Sequence, residues 1–296
     1  MAEQSPRYVT SCPVGCDAPL VATAIELPEG ALLRCAGCGQ LVSQVTERRY
    51  WETMAAFDRA DFNQPEGREL ARRNQVAHRR LRAIAEKLGR APQEVHLLDV
   101  GCSRGQFVAD ALGAGFRAEG VEPAPHIAAA ARACGLTIHL GLLEEQRFAA
   151  DSFDALTLFE VVEHLKDPRA LLTECHRVLT PGGILLVSTG NAASWTVSFM
   201  GRRWDYFHIA RDGGHVSFFN PGSMRRLAEN CGFAVERIET ARVRFFEKAD
   251  ASRVLYTAGK IAAEALNLPA QWFGRGHDML AYLRRPPAHA APRHSR

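Results

Sequence analysis

The sequence predicts an α/β protein built on a doubly wound, mostly parallel sheet, with a small cysteine-rich module in front of it. Two observations support this prediction. From residue 95 onward, short apolar runs alternate with helical patterns, which is typical of parallel strands joined by crossover helices. The apolar runs cover residues 95–100, 116–121, 136–140, 153–159 and 183–189. In addition, four of the eight cysteines fall within the first forty residues.

Helical patterns fill the segments around these runs, and each begins or ends at a recognisable signal. The predicted crossover helices cover residues 105–112, 125–134, 168–179 and 221–231. An earlier polar helix is predicted at 69–88, where apolar side chains recur at helical spacing until Gly89 and Pro92 end it. Its arginine pairs, such as Arg79 and Arg80, are expected to lie on a solvated face.

Two further strands are predicted near the end of the chain, at 234–246 and 279–283, with an amphipathic helix at 249–266 between them. One side of that helix is apolar, and we expect it to pack on the domain rather than to form a dimer or membrane contact. Its members are Val254, Leu255, Ala258, Ile261, Ala262 and Ala265. The predicted organisation is a cysteine module (1–48), a helical linker or cap (49–94), the α/β domain (95–285) and a disordered tail (286–296).

Composition excludes several classes of protein. Thirty-six Lys and Arg against 33 Asp and Glu give a formal net charge of +3, too little to indicate a nucleic-acid partner. The longest uncharged stretch, residues 178–201, is interrupted by Pro181 and Gly182, so it predicts a buried strand and a loop rather than a membrane span. No secretory signal is evident, so we expect a cytoplasmic protein whose cysteines are reduced or metal-bound.

The cysteine module contains two pairs of closely spaced thiols, Cys12 and Cys16, then Cys35 and Cys38. Four thiolates from two such pairs suit a closed tetrahedral Zn²⁺ site, which stabilises a segment too small for its own core. The module is therefore predicted to be a zinc ribbon. The alternative is that the two cysteine pairs bind no metal. The spacing of the cysteines does not suit an iron–sulfur cluster.

A ligand site is predicted where the first strand of the α/β domain ends. The strand runs through Asp99 into a turn of small residues, and a helix begins near Gly105. Small residues let the backbone approach a ligand closely, and a helix N-terminus presents free N–H groups. Glu122, at the end of the second strand, can accept both hydroxyls of a ribose. By itself, such a turn fits any dinucleotide-binding protein.

Four motifs together are more specific, and they resemble class I S-adenosylmethionine-dependent methyltransferases. They are Asp-Val-Gly-Cys-Ser-x-Gly at 99–105, Gly-Val-Glu-Pro at 120–123, the Ser-Phe-Asp to Asp-Pro segment at 152–168, and Arg-Val-Leu-Thr-Pro-Gly-Gly at 177–183. The resemblance covers roughly residues 95–285. Through His215 and Gly232-Phe233 it extends to the branch of ubiquinone-pathway O-methyltransferases and glycan-cluster methyltransferases. It implies a Rossmann-like, doubly wound, seven-stranded sheet.

The resemblance also implies which residues bind S-adenosylmethionine. Those expected around its methionine end and sugar are Asp99, Gly101, Ser103 and Gly105, with Glu122 on the ribose, Leu142 and Leu143 beside the adenine, and Phe159 beside the sulfonium. Ser103 stands where the family usually has glycine. NAD-binding is the first alternative, but NAD-dependent oxidoreductases of this fold lack the Pro-Gly-Gly and Glu-His pairings. A degenerate fold that binds no cofactor is the remaining alternative.

Two histidines are candidates for a general base, because a hydroxyl acceptor needs to lose a proton. His164 follows the fourth strand and His215 follows the fifth; each could instead only anchor a loop. His215 is favoured, with a pH–rate profile rising near the imidazole pKa of about 6.5. Glu160, Glu163 and His164 stand at i, i+3 and i+4, which suits a divalent cation such as Mg²⁺ if they share one helical turn.

The predicted function is methylation of a hydroxyl on a small molecule, either a sugar or glycan or a phenolic metabolite. One alternative is an RNA methyltransferase whose zinc ribbon binds RNA. Against it, the fourth strand ends in Phe-Glu-Val-Val rather than the run typical of base amino-group methylases. The other alternative is a non-catalytic binding or assembly protein.

Overall fold

The structure, a computed structural model, describes residues 5–58, 66–208, 214–246 and 252–287. Residues 288–296, most of the predicted tail, and 249–251, the predicted start of the last helix, lie outside this part of the chain. Within it, no helix has both the length and the apolar composition needed to cross a bilayer.

The N-terminal segment forms an antiparallel sheet followed by two helices. Its strands are β1 (Leu20–Leu27), β2 (Gly30–Cys35) and β3 (Leu41–Val42), and the helices are α1 (Glu47–Phe57) and α2 (Gly67–Leu88). Helix α1 begins at Thr46, whose side chain accepts a hydrogen bond from the backbone of Arg49. Helix α2 ends at Gly89, which has the left-handed conformation that favours glycine (φ 63°).

The central sheet contains seven strands, as predicted, and six of them run in the same direction. In chain order its strands are β4 (His96–Val100), β5 (Arg117–Glu122), β6 (Ile138–Leu140), β7 (Phe153–Phe159), β8 (Leu179–Gly190), β10 (Ala234–Ala241) and β11 (Asp278–Arg284), with β9 (Ser217–Phe218) outside this sheet. Across the sheet the order is β10-β11-β8-β7-β4-β5-β6, and β11 runs antiparallel to both neighbours. The predicted fold class is confirmed.

Helices cover the sheet and connect its strands. They are α3 (Gln106–Gly113), α4 (Pro125–Ala133), α5 (Pro168–Val178), α6 (Trp195–Met200), α7 (Pro221–Asn230) and α8 (Arg253–Trp272). Strands β7 and β8 supply fully buried side chains such as Leu156, Leu158 and Val187 to the largest core, because both faces of a parallel sheet are covered. The parallel strands end at one edge, where ligands bind in sheets of this kind.

The end of the chain differs from the prediction in two ways. Strand β10 stops at Ala241, because Arg242 adopts a left-handed conformation (φ 64°) that breaks the extended backbone. Helix α8 continues through Pro269 to Trp272.

The side of α8 that faces the domain was also predicted wrongly. Ala263 and Ala270 are buried against Val243, since small side chains let the helix approach closely. The predicted apolar side is exposed instead at Val254, Ala258, Ile261, Ala262 and Ala265.

The N-terminal sheet takes its fourth strand from the other end of the chain. Strand β9 pairs antiparallel with β3, with Leu41 opposite Phe218 and Val42 opposite Ser217. A second core joins the two regions, since the buried side chains of Val42, Trp204 and Phe218 belong to one cluster. The boundary predicted at residue 48 between the cysteine module and the rest of the chain stays a prediction. The pairing of β3 with β9 joins residues from the two sides of this boundary.

Candidate active site

The turn after β4 has a backbone that favours glycine. Gly101, Ser103 and Gly105 all have positive φ angles, of 73°, 50° and 74°. A Cβ atom placed on Gly101 would stand 2.6 Å from the Cγ2 atom of Val161, so a side chain does not fit there. Gly105 then begins helix α3, whose first N–H groups lie at this turn. The turn therefore offers backbone N–H groups to a ligand that approaches closely.

Glu122 lies beside this turn at the end of β5. Its two carboxylate oxygens accept hydrogen bonds from the backbone amides of Ser103 (2.8 Å) and Ala124 (2.9 Å). Burial raises the pKa of Glu122, whereas these two N–H groups act in the opposite direction. The carboxylate is held in place next to the turn, as its proposed contact with a ribose requires.

Asp99 is buried in the same region. The hydroxyl of Thr157 donates a hydrogen bond of 2.6 Å to its Oδ1 atom. Burial raises the pKa of Asp99 to about 7, and the nearby guanidinium of Arg80 limits the rise. That guanidinium lies 4.0 Å from the centroid of the Phe159 ring, which places helix α2 over the site. Arg80 was predicted to be solvated. The arginine pairs of α2 do not indicate which of their members points towards the domain.

The remaining predicted cofactor residues occupy different environments. Leu142 is 49% exposed and Leu143 is 1% exposed, so only Leu142 presents its side chain to a ligand beyond β6. Phe159 is half-buried at the end of β7, with its ring 4.9 Å from that of Phe107. The buried hydroxyl of Ser103 has no hydrogen-bond partner among the described residues. This unpaired group, with the glycine turn and the Glu122 carboxylate, suits the polar parts of a nucleoside with an amino-acid tail.

His215 lies beyond the cofactor turn, in the segment that leads into β9. Its Nδ1 atom is 2.9 Å from the carbonyl oxygen of Tyr206, which can only accept, so Nδ1 carries the proton. The Nε2 atom is therefore the proton-accepting atom of the neutral ring. Burial lowers the pKa of His215 to about 4, which keeps the imidazole neutral at physiological pH. The ring of His164 lies 4.7 Å away, centroid to centroid.

The three predicted cation ligands do not share a helical turn. Glu160 has a left-handed backbone (φ 58°), and only Val162–His164 form a single 3₁₀ turn. As a result, the carboxylate of Glu160 turns away and accepts hydrogen bonds from the hydroxyls of Ser188 (3.1 Å) and Tyr206. Tyr206 was not among the predicted site residues, because its position depends on the fold of the loop after β8.

Glu163 and His164 instead meet His215. One potential ligand atom from each of the three lies within 4.8 Å of the others. Glu163 is fully buried, and neither of its carboxylate oxygens has a hydrogen-bond donor in bonding geometry within the described chain. Burial and the neighbouring Glu160 raise the pKa of Glu163 well above its usual range, whereas the side chain of Thr189 acts in the opposite direction. The charge of a fully buried carboxylate is costly unless a proton or a cation neutralises it.

Three of the four predicted zinc ligands converge. The sulfur atoms of Cys12, Cys35 and Cys38 lie within 4.8 Å of one another, and Cys12 and Cys38 are 3.5 Å apart. Sulfur atoms on a tetrahedral zinc at bond lengths of about 2.3 Å are about 3.8 Å apart. Although burial acts to raise it, N–H groups of Cys38 and Gly37 lower the pKa of Cys35 to about 7, which favours the thiolate.

Cys16 is not part of this converged group, but it lies close by. Its sulfur would be 2.5 Å from a Cβ atom placed on Gly37, one of the two residues between Cys35 and Cys38. Glycine at this position therefore leaves room for the Cys16 side chain beside the other three. The set of donors fits Zn²⁺.

The cysteine module is joined to the segment that carries His215. The backbone amide of Ser43 donates to the carbonyl of Val216 (2.9 Å), and the Ser43 hydroxyl donates to the carbonyl of His215 (3.4 Å). The amide of Val216 in turn donates to the carbonyl of Glu163 (2.8 Å). The residue that follows β3 in the cysteine module is thus hydrogen-bonded to the segment that carries His215, and that segment is in turn hydrogen-bonded to Glu163.

Comparison with known families assigns the α/β part of the chain. Residues 69–238, more than half of the chain, match the family described as "Methyltransferase domain". The matched region contains the turn after β4, Glu122 and both histidines.

Curated relatives include two ubiquinone biosynthesis O-methyltransferases. The protein from Cereibacter sphaeroides is 35% identical over 150 residues, which cover 47% of this chain and 60% of the relative. The one from Thiobacillus denitrificans is 27% identical over 198 residues, which cover 57% of this chain and 84% of the relative. The match to the first relative thus spans less than two thirds of its length.

Solved structures with the same fold include two S-adenosylmethionine-dependent methyltransferases. The one from Mesorhizobium loti is 22% identical with a TM-score of 0.50, over 70% of this chain and 96% of that chain. The one from Archaeoglobus fulgidus is 17% identical with the same TM-score, over 71% and 94%. At these identities the likeness concerns the fold alone. The family match and the geometry of the turn together place the chain in the methyltransferase-domain family, as an S-adenosylmethionine-dependent methyltransferase.

Proposed function

We propose that this methyltransferase methylates a hydroxyl group of a small-molecule acceptor, with His215 as the proton-accepting group. The observation that carries the proposal is the neutral, buried imidazole of His215, whose Nδ1 atom is occupied by Tyr206 and whose Nε2 atom can accept. A hydroxyl is a poor nucleophile until it loses its proton, so a fixed acceptor atom helps this class of substrate most.

The cofactor contacts that we propose follow from the geometry of the turn. When bound, S-adenosylmethionine supplies a methyl group on a positively charged sulfonium. Glu122 would accept hydrogen bonds from the ribose hydroxyls, and Asp99, Gly101, Ser103 and Gly105 would border the sugar and methionine end. Leu142, rather than the buried Leu143, would cover the adenine.

Two aromatic and basic side chains complete this proposed site. Phe159, at the end of β7, would lie beside the sulfonium. Arg80, which lies over the Phe159 ring, would add a charge-assisted contact to the carboxylate of the methionine part.

A second version of the same reaction uses a divalent cation. Glu163, His164 and His215 converge, and the Glu163 carboxyl among them is fully buried. Carboxylate and imidazole together suit Mn²⁺ or Zn²⁺, and Mg²⁺ prefers more oxygen ligands than this set provides. A cation there would lower the pKa of an acceptor hydroxyl. In this version His215 would bind the cation rather than accept the proton of the hydroxyl.

We favour a phenol as the methyl acceptor. A sugar hydroxyl is the other acceptor that we consider. The names of the two curated relatives, ubiquinone biosynthesis O-methyltransferases, support a phenolic acceptor. The net charge of +3 gives no support to an RNA acceptor. The N-terminal module would then be a structural zinc ribbon, bound by Cys12, Cys16, Cys35 and Cys38, that stabilises the acceptor side.

Transfer of labelled methyl from S-adenosylmethionine to a panel of catechols, nucleotide sugars, lipids and RNA tests the proposal. We expect O-methylation of a phenol or a sugar. The assay is run with the purified full chain, with and without EDTA and with Mn²⁺ or Mg²⁺ added back. Loss of turnover with EDTA that Mn²⁺ or Mg²⁺ restores, in protein that still holds the zinc of its cysteine module, selects the metal version. Transfer to RNA alone, or cofactor binding without turnover on any acceptor, would overturn the proposal.

A further inference from the structure

Helix α8 has an apolar face that points away from the domain. Six of its residues follow one another in alternating steps of four and three, which places them in a single straight stripe. They are Val254, Ala258, Ile261, Ala265, Leu268 and Trp272, and all six are exposed. Its large members are exposed to between 60% (Leu268) and 80% (Val254). At 1.5 Å per residue the stripe is about 27 Å long.

This stripe is not the face with which α8 packs on its own domain. Ala263 and Ala270 lie on the opposite side of the helix and are buried against Val243. The helix therefore has two apolar faces, of which one is buried within the described part of the chain. A continuous exposed apolar stripe of this length is unusual on a monomer and marks an interaction surface.

We propose that this stripe binds the same stripe of a second copy of the chain, as an antiparallel helix pair. Steps of four and three residues produce a supercoiled seam when two such helices meet. The order of large and small side chains is complementary to itself in the antiparallel direction. Val254 would face Trp272 of the second copy, Ala258 would face Leu268, and Ile261 would face Ala265, so small side chains meet large ones.

Charge supports the same arrangement. Lys260 and Glu264 lie on the same flank of the stripe, one turn apart near its middle. In an antiparallel pair related by a twofold axis, equal flanks meet, so Lys260 of each copy would approach Glu264 of the other. An antiparallel second copy satisfies both the packing and the charges. In a parallel copy opposite flanks would meet, so Lys260 and Glu264 would lose their charged partners.

Pro269 does not interrupt the surface. It lies beside the stripe rather than in it, and the helix continues beyond it, since the amide of Phe273 donates to the Pro269 carbonyl (3.1 Å). Phe273 is itself 70% exposed, and its ring lies 6.3 Å from that of Trp195, centroid to centroid. The paired helices would cover the outer side of α8, whose inner side packs near Trp195 at the start of α6. Dimerisation would thus stabilise the segment that follows β8.

Sedimentation velocity of the full chain over a range of concentrations tests the proposal. We expect a dimer for the natural sequence. Ile261→Glu should raise the dissociation constant by about 100-fold or more, because it buries two unpaired carboxylates per dimer. Leu112→Glu, which makes the same kind of change at a half-exposed residue of α3, should leave the dimer intact.

A charge reversal separates this dimer from other assemblies. Lys260→Glu and Glu264→Lys should each weaken association, and the double variant should restore it, because it returns opposite charges to the antiparallel flank. The proposal is overturned if the natural chain stays monomeric. This holds even if another occupant, such as residues 288–296 or a lipid vesicle, is found to cover the stripe. A dimer that survives Ile261→Glu also overturns it, since association would then use another face.

Discussion

The amide of Ser43 donates its hydrogen bond to the carbonyl of Val216, the residue that follows His215. Ser43 comes directly after the last strand of the cysteine module, and the amide of Val216 continues the connection to Glu163. A shift of the module would therefore move two members of the candidate catalytic cluster. The cofactor turn lies at the ends of β4 and β5 and makes none of these hydrogen bonds.

Replacement of Cys38 by Ser should release zinc and lower kcat by about tenfold or more, because misplacing His215 by even an ångström is costly. Affinity for S-adenosylhomocysteine should change by less than about twofold, since Ser103 and Glu122 are held independently. Metal analysis should find close to one zinc per chain in the natural protein and none in the variant. The control is Cys134→Ser, at an exposed thiol. Normal turnover in a zinc-free variant would contradict the coupling.

Glu122→Ala should weaken the binding of S-adenosylhomocysteine by about 2–3 kcal/mol, because the carboxylate that accepts the ribose hydroxyls is lost. Titration calorimetry measures this effect. Glu119 lies on the same strand but is paired with His96 and His139, so Glu119→Ala serves as the matched control and should keep near-normal affinity. Equal affinities for the two variants would show that the ribose lies elsewhere.

Cofactor affinity should increase with pH through the pKa of Asp99. The folded, ligand-free protein holds a proton on this carboxyl up to a pKa of about 7, whereas an exposed Asp ionises near 3.9. A positively charged ligand favours the ionised form, so S-adenosylmethionine, which carries a sulfonium, should bind more tightly at about pH 8 than at about pH 6.

The same pKa makes the opposite prediction for stability. Because the folded state binds more protons than the unfolded state between these pKa values, the free energy of unfolding should fall as pH rises from about 4 to about 7. Asp99→Asn should remove the trend in affinity and weaken the trend in stability, because the raised pKa values of Glu122 and Glu163 contribute to the latter as well. Calorimetry and urea unfolding of the two proteins check this, and an Asn variant whose cofactor affinity still rises with pH would assign that effect to another group.

His215→Ala should lower kcat by about 10²–10⁴ with little effect on cofactor affinity. His164→Ala should disturb binding and turnover together, because His164 follows the cofactor strand β7. The expected rise of the rate near pH 6.5 has to be corrected, since burial lowers the pKa of His215 to about 4. The profile should therefore be flat around neutrality.

His215→Asn controls for folding, because its amide can still donate to the carbonyl of Tyr206. Circular dichroism and cofactor affinity of this variant should match those of the natural protein while kcat stays low. Near-normal turnover in either His215 variant, on a confirmed acceptor, would leave His215 as a loop anchor.

The parts of the site that could be predicted are those encoded within a few residues. The glycine turn and Glu122 belong to this group, because backbone conformation and strand ends leave a local pattern. The grouping of Glu163 and His164 with His215 could not be predicted, because it depends on the left-handed backbone of Glu160 and on a segment fifty residues away.

Arg80 and helix α8 show a different reason for failure. The spacing of apolar residues along the sequence identifies an amphipathic helix. It does not indicate which face of that helix the rest of the chain covers. On α2 an inward arginine looks like its solvated neighbours, and on α8 the more obvious apolar side faces outward.

The pairing of β3 with β9 has a practical consequence for anyone who shortens this enzyme. A protein that started after residue 48 would leave the backbone of Ser217 and Phe218 as an open strand edge. It would also expose the aromatic rings of Trp204 and Phe218, which are now buried beside Val42. An unprotected edge next to apolar surface promotes aggregation. Catalysis in a smaller protein would therefore require redesign of this edge, and a transplant of the methyltransferase region into another chain should carry the first 48 residues with it.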